Sequence, residues 1–167
     1  TGVDGSGRPT YREAVNPTAG TQVGPFPSEN NDYAQWGFYD MGASAIWPAR
    51  EGSVSVALLD TGVDYSHPEI PNRIINGYDF ANEDSDSRDD NGHGTHVAGT
   101  VGALDNGEGV VGVAPGVNLW AVKVLGATAS GNLSDIIKGI DWVTANAETI
   151  EIANMSLGGV GKSDAYR

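Results

Sequence analysis

Residues 53–63 read SVSVALLDTGV, and this stretch decides the fold class. Val54, Val56 and Leu58 alternate, and Leu59 then prolongs the apolar run, which suits a strand buried on both faces. Thr61-Gly62 follows at once, so the strand ends by presenting Asp60 at its carboxyl end. Working outward, a second strand is expected within residues 72–80, around Ile74 and Ile75. Thr95–Leu104 is apolar and small, which predicts a helix that packs closely on a sheet through Gly99 and Gly102. VNLWAVKVL at 117–125 predicts a third strand. Leu133, Ile136, Ile137, Ile140 and Val143 then mark one face of a helix over Leu133–Ala145. Asn132 stands where a cap belongs, and Asp135 favours the positive end of that helix. A fourth strand is expected over Ile150–Met155. Strands alternating with helices read as βαβ units, hence an α/β fold with a parallel sheet flanked by helices. Ligands bind such sheets outside the carboxyl ends of the strands. Asp60, the loop after Leu125 and Ser156–Gly159 all fall there.

The rest of the composition narrows the function. Nine basic and 22 acidic residues among 167 give a net charge of −13, which argues against nucleic acid and anionic membrane surfaces as partners. No apolar run approaches the ~18 residues of a membrane span. The absence of Cys excludes disulfides, thiolate catalysis and Cys-based metal sites. Residues 1–30 carry Gly, Pro, Thr and Asn without apolar periodicity and read as an irregular N-terminal arm, the body running over 31–167. The arm lacks the basic-then-apolar layout of a signal peptide. Tyr33–Trp47 has enough apolar surface to dock on that body, and Trp36 and Trp47 are expected in packing roles.

Two segments carry chemistry. ALLDTG at 57–62 matches the local pattern of aspartic proteases, where two carboxylates share a proton, but those enzymes are nearly all β and have no use for the HGTH that follows. NGHGTHVAG at 91–99 sets His93 at a helix start, where an imidazole can exchange protons near neutral pH and the helix dipole favours its neutral form. His96 and His67 read as structural residues. An HxxH pair could ligate zinc, yet no Glu stands between His93 and His96 to act as a base.

Four blocks taken together are more specific. VALLDTGVDYSHPEI (56–70), DDNGHGTHVAGTVGAL (89–104), GVAPGVNLWAVKVLGATASGNLSDIIKGIDWV (112–143) and NMSLGG (154–159) resemble, in order, the subtilisin-like serine proteases, or subtilases. The resemblance covers roughly residues 33–160 and so the N-terminal portion of that catalytic domain. It implies that Asp60 is the triad carboxylate and His93 the general base of an acyl-transfer endopeptidase. The family's Gly-Thr-Ser-Met-Ala nucleophile motif and its oxyanion-hole Asn do not occur in the 167 residues. Ser156 lies instead in SLGG, which resembles the family segment that pairs with the substrate and lines its pockets. Loss of the nucleophile costs on the order of 10⁶ in turnover, so the chain alone is expected to be inactive. The serine would come from a missing C-terminal portion or from a second chain. A nicked protease is the preferred expectation, because GKSDAYR resembles a loop cut after a basic residue. A fragment and a naturally inactive relative are the alternatives to it.

The resemblance also implies ligands. A peptide or protein substrate would be bracketed as an added strand by Leu125, Gly126, Ser130, Gly131 and Leu133 on one side and by Ser156, Leu157 and Gly158 on the other. Leu125, Leu133, Ile136 and Leu157 would form an apolar pocket, with ordinary core packing the other reading of Leu125 and Ile136. Leu104–Val110 resembles the family's tight calcium loop, with Asn106 offering its side chain, Leu104, Glu108 and Val110 their main-chain oxygens, and Glu69 standing in for an Asp ligand. The acidic run 79–90 offers Asp79, Asp84 and Asp86 for a second calcium, since crowded carboxylates repel and a hard cation relieves them. A secreted enzyme with structural calcium is the expectation. The other function class is a catalytically inactive, calcium-binding subtilase-like module that holds peptides without cutting them.

Overall fold

The computed structural model describes residues 2–3, 9–10, 54–70, 74–105 and 110–159. The expectations for Tyr33–Trp47, for most of the arm and for the terminal GKSDAYR lie outside these residues, as do Asn106 and Glu108. Within the arm, β1 (Gly2–Val3) and β2 (Pro9–Thr10) pair antiparallel.

Strand β3 (Ser55–Asp60) is buried at every position, as the apolar run Val56–Leu59 within it leads one to expect. It is followed by β4 (Ile74–Asp79), helix α1 (His93–Gly102), β5 (Asn118–Lys123), helix α2 (Leu133–Ala145) and β6 (Ile152–Asn154). The four strands form one parallel sheet in the order β4-β5-β3-β6. Side chains alternate across it and build two cores. Val56, Leu58, Leu119 and Ala121 pack with Ala98 of α1 on one face, and Ala57, Leu59, Val122 and Val124 pack with Ile136 and Ile140 of α2 on the other. One helix on each face makes three layers, the α/β architecture expected of the alternating pattern.

The element boundaries differ from expectation in two informative places. Helix α1 begins at His93 rather than Thr95; its N-cap, Gly92, has a left-handed φ of 108° and no side chain of its own to mark the start. Asn132 does flank α2, yet its side chain caps no backbone N–H. Its Nδ2 donates instead to Asp135 Oδ2 at 3.0 Å. That bond comes first among the causes that hold Asp135 below the usual carboxylate range; burial opposes it, and Lys138 adds to it. Edge strand β6 is short, and Ile152 is half exposed.

Candidate active site

Asp60 closes β3 at the carboxyl edge of the sheet and is 1% exposed. Its Oδ1 accepts the Thr61 N–H at 2.7 Å and stands 2.7 Å from His93 Nδ1. A carboxylate can only accept in that contact, so Nδ1 carries the proton and Nε2 is left as the basic nitrogen. His93 is 45% exposed at its side chain. The pair therefore has a buried anchor and an accessible base.

Backbone proximity explains why the two segments meet. Gly94 lies so close to the turn after β3 that a Cβ there would stand 2.0 Å from the Gly62 carbonyl oxygen, and a Cβ on Gly62 itself (φ 100°) would stand 2.4 Å from Ser87 O. Gly94 N–H donates to Thr61 Oγ1 at 2.8 Å, which docks the first turn of α1 onto that turn. Asp89 gathers the remaining donors. Its Oδ1 accepts from Thr61 Oγ1, Asn91 N–H and Gly92 N–H, and its Oδ2 from Thr95 N–H and Thr95 Oγ1. Burial works to raise the pKa of Asp89, but the bonds from Gly92, Thr95 and Asn91 outweigh it and hold the carboxyl below its ordinary range. Asn91 Nδ2 reaches across to Ala127 O at 2.8 Å and so ties the histidine loop to the loop after β5. Sequence reasoning passed over Asp89 and Asn91, although the DDNG run before the histidine was a readable turn signal.

The residues expected to bracket a substrate lie at the same carboxyl edge. Gly126 N–H donates to Ser130 O at 2.9 Å, and Ala129 takes a left-handed φ of 54°, so residues 126–130 form a turn. Gly131 is packed so that a Cβ would stand 2.3 Å from Val124 O. Leu125 is buried in the α2-side core, where Ile136 and Leu157 also pack, whereas Leu133 is 44% exposed. Ser156 and Gly158 are exposed. Asn154 Nδ2 donates to Ser156 Oγ at 3.0 Å. His96 and His67 line a cleft of about 780 Å³ beside α1, away from Asp60, and His67 Nδ1 is occupied by the Glu69 N–H at 3.3 Å. His93 and His96 therefore serve different surroundings and do not form a zinc pair.

The two acidic segments behave differently. Asp79 is 1% exposed and spends its carboxylate on Asn82, accepting from N–H at Oδ1 and from Nδ2 at Oδ2, both at 2.8 Å. Asp84 Oδ1 accepts from Asp86 N–H and Asp86 Oδ1 from Arg88 N–H. Among the described residues no three acidic or histidine side chains converge on a point suited to a metal. Asp79, Asp84 and Asp86 are thus not brought together as a ligand set. Local N–H donors take up part of their charge. At the other segment the donor chemistry fits. Leu104 N–H donates to Glu69 O at 2.9 Å, so Glu69 abuts the start of the 104–110 loop, and Glu69 Oε2 is buried without a hydrogen-bond partner among the described residues. Such an oxygen suits a hard cation.

The sequence profile of the subtilase family matches residues 51–166. The chain is 48% identical over 118 residues to subtilisin DY of Bacillus licheniformis, covering 71% of this chain and 42% of that protein. It is 50% identical over 106 residues to alkaline serine exoprotease A of Vibrio alginolyticus, covering 64% and 19%. It is 47% identical over 122 residues to an intracellular serine protease of Paenibacillus polymyxa, covering 70% and 37%. A solved structure, that of a cold adapted subtilisin-like serine proteinase, matches with a TM-score of 0.60 at 49% identity, over 67% of this chain and 39% of that one. The chain spans less than half the length of each of these relatives. Matched over residues 51–166 and carrying the paired Asp60 and His93 at the edge of its parallel sheet, this chain is a member of the subtilase family.

Proposed function

We propose that the chain supplies the aspartate and histidine of a serine endopeptidase, whose serine and oxyanion-hole donor lie in the rest of the catalytic domain, either continuous with it or as a second chain. The contact between buried Asp60 and His93 Nδ1 at 2.7 Å carries this reading. In the reaction, His93 Nε2 takes the proton from the serine hydroxyl as its oxygen attacks the peptide carbonyl. Asp60 holds the imidazole in the Nδ1–H tautomer and stabilises the imidazolium that forms. His93 then gives the proton to the leaving amine, and water repeats the sequence to release the acyl group. The peptide would lie as an added strand between residues 126–133 and 156–158. The link from Asn91 to Ala127 supports this, because it couples the base to one wall of that groove.

Calcium is proposed as a structural ligand held by Glu69, Leu104, Asn106, Glu108 and Val110, and the buried free oxygen of Glu69 supports it. It would cross-link the loop after β3 to the loop after α1. Secretion is proposed as well, for a chain that needs no disulfide; recovery of the protein from culture medium rather than from the cell pellet tests it.

A covalent serine-protease inhibitor tests the main reading. Labelling of a serine in the remainder of the domain, when that remainder is present with this chain, is the expected result. Peptide binding without labelling would instead identify a calcium-binding module that does not cut.

A further inference from the structure

One buried group has no part in the reaction. Lys123 ends β5, directly between Asp60 of β3 and Asp79 of β4 in the sheet register, and its side chain is 0% exposed. Alternation along β5 turns it to the α1 face, the side on which His93 lies. Its Nζ donates to Thr61 O at 2.6 Å and to Asp90 Oδ1 at 2.5 Å. Burying an ammonium is expensive, and replacing a buried ion pair by apolar groups is often neutral for stability or better, so stability alone is a weak reason for this lysine.

The contacts close a ring. Thr61 accepts from Lys123 through its carbonyl oxygen and donates to Asp60 Oδ1 through its N–H, and Asp60 Oδ1 meets His93 Nδ1. His93 stands three residues after Asp90, which returns to Lys123. The cation thus grips both segments that carry the catalytic pair, one by a carbonyl and one by a carboxylate.

We propose that Lys123, with Asp90, is a positioning clamp that sets the separation of Asp60 and His93, so that the pair is held ready rather than assembled at each turnover. This inference rests on reading Asp60 and His93 as a catalytic pair. Lys123 touches neither the imidazole nor the substrate. It acts through the Thr61 backbone and the loop 90–93. A misplacement of about 1 Å at such a pair is enough to cost on the order of 100-fold in rate.

The test uses the full-length protease and the double variant Lys123→Met with Asp90→Asn, which removes both charges together and so leaves the net field at His93 nearly unchanged. The expected result is a kcat lowered at least ~10-fold with KM little changed, together with weakening or upfield movement of the downfield proton resonance of His93 Nδ1–H. An unaltered resonance and kcat would overturn the clamp whatever happens to the melting temperature. Should the double variant not fold, Asp90→Asn alone serves, because its amide oxygen still offers the buried Lys123 ammonium an acceptor while the charge that grips the 90–93 loop is lost. The same two readouts decide it in the same way. A wild-type protein without peptidase activity would refute the catalytic reading, and the Nδ1–H resonance would still judge the clamp by itself.

Discussion

At Gly94 the geometry of the Asp60–His93 pair depends on an absent side chain. A methyl group there meets the Gly62 carbonyl oxygen at 2.0 Å, which backbone cannot tolerate, so α1 must retreat from the turn that presents Asp60. Gly94→Ala is expected to cost about 1–3 kcal/mol or more, the usual range for overpacking, and to lose the Asp60–His93 bond. Urea denaturation and the Nδ1–H resonance measure the two effects. Asp89 makes a prediction with a sign. Its carboxyl lies below its ordinary pKa in the folded chain, so its stabilisation is fully present above the unfolded value near ~4 and disappears as pH falls through the folded value. Asp89→Ala should therefore lower the melting temperature at pH ~7, and the gap to wild type should narrow below pH ~4. A gap that stayed constant down to pH ~2 would refute this role. Local pattern placed Asp60 at a strand end and His93 at a helix start, while their pairing was legible only through the four blocks that resemble the subtilases. Lys123 was not legible. It sits inside VNLWAVKVL, where the apolar pattern speaks for a strand and is silent about a single ammonium whose carboxylate partner stands 33 residues earlier.

Elements follow the same division between local and distant causes. β3 and α2 could be read from periodicity because both bury a regular face, six consecutive positions in β3 and the Ile136–Ile140 stripe in α2. The start of α1 could not, since its anchoring carboxylate is Asp89, before the cap, and the cap itself is a glycine. In the acidic run 79–90, Asp79, Asp84 and Asp86 each accept a nearby N–H, hydrogen bonds that composition alone does not show. Glu69 is a different case: its main-chain oxygen accepts from Leu104 N–H, and its buried Oε2 has no hydrogen-bond partner among the described residues. If calcium joins those two loops, the melting temperature should fall when a chelator is added and recover with excess calcium. An unchanged melting curve in EDTA would count against calcium there. Asp79→Asn should leave that chelator effect as it is.

Among the described residues the sheet is covered by a helix on each face, and its β6 edge carries Ile152, with Met155 just beyond the strand, at 50% and 42% exposure. Apolar side chains along an unpaired edge are an association hazard, so the chain alone should bind a hydrophobic dye and self-associate. Ile152→Lys should reduce both. Addition of the remaining part of the domain should reduce them further, and a monomeric, dye-silent chain would contradict the expectation. The strand order has a consequence in time as well. Val56 of β3 pairs with Leu119 and with Ile152, so the central strand acquires its neighbours only after 63 and 96 further residues respectively. No hairpin offers an early, local reward for ordering β3, and both loops must close before the sheet repays their entropy. Refolding should accordingly be slow for a chain of this size, with a barrier set by topology, and anything that prearranged β3, β5 and β6 side by side would speed it.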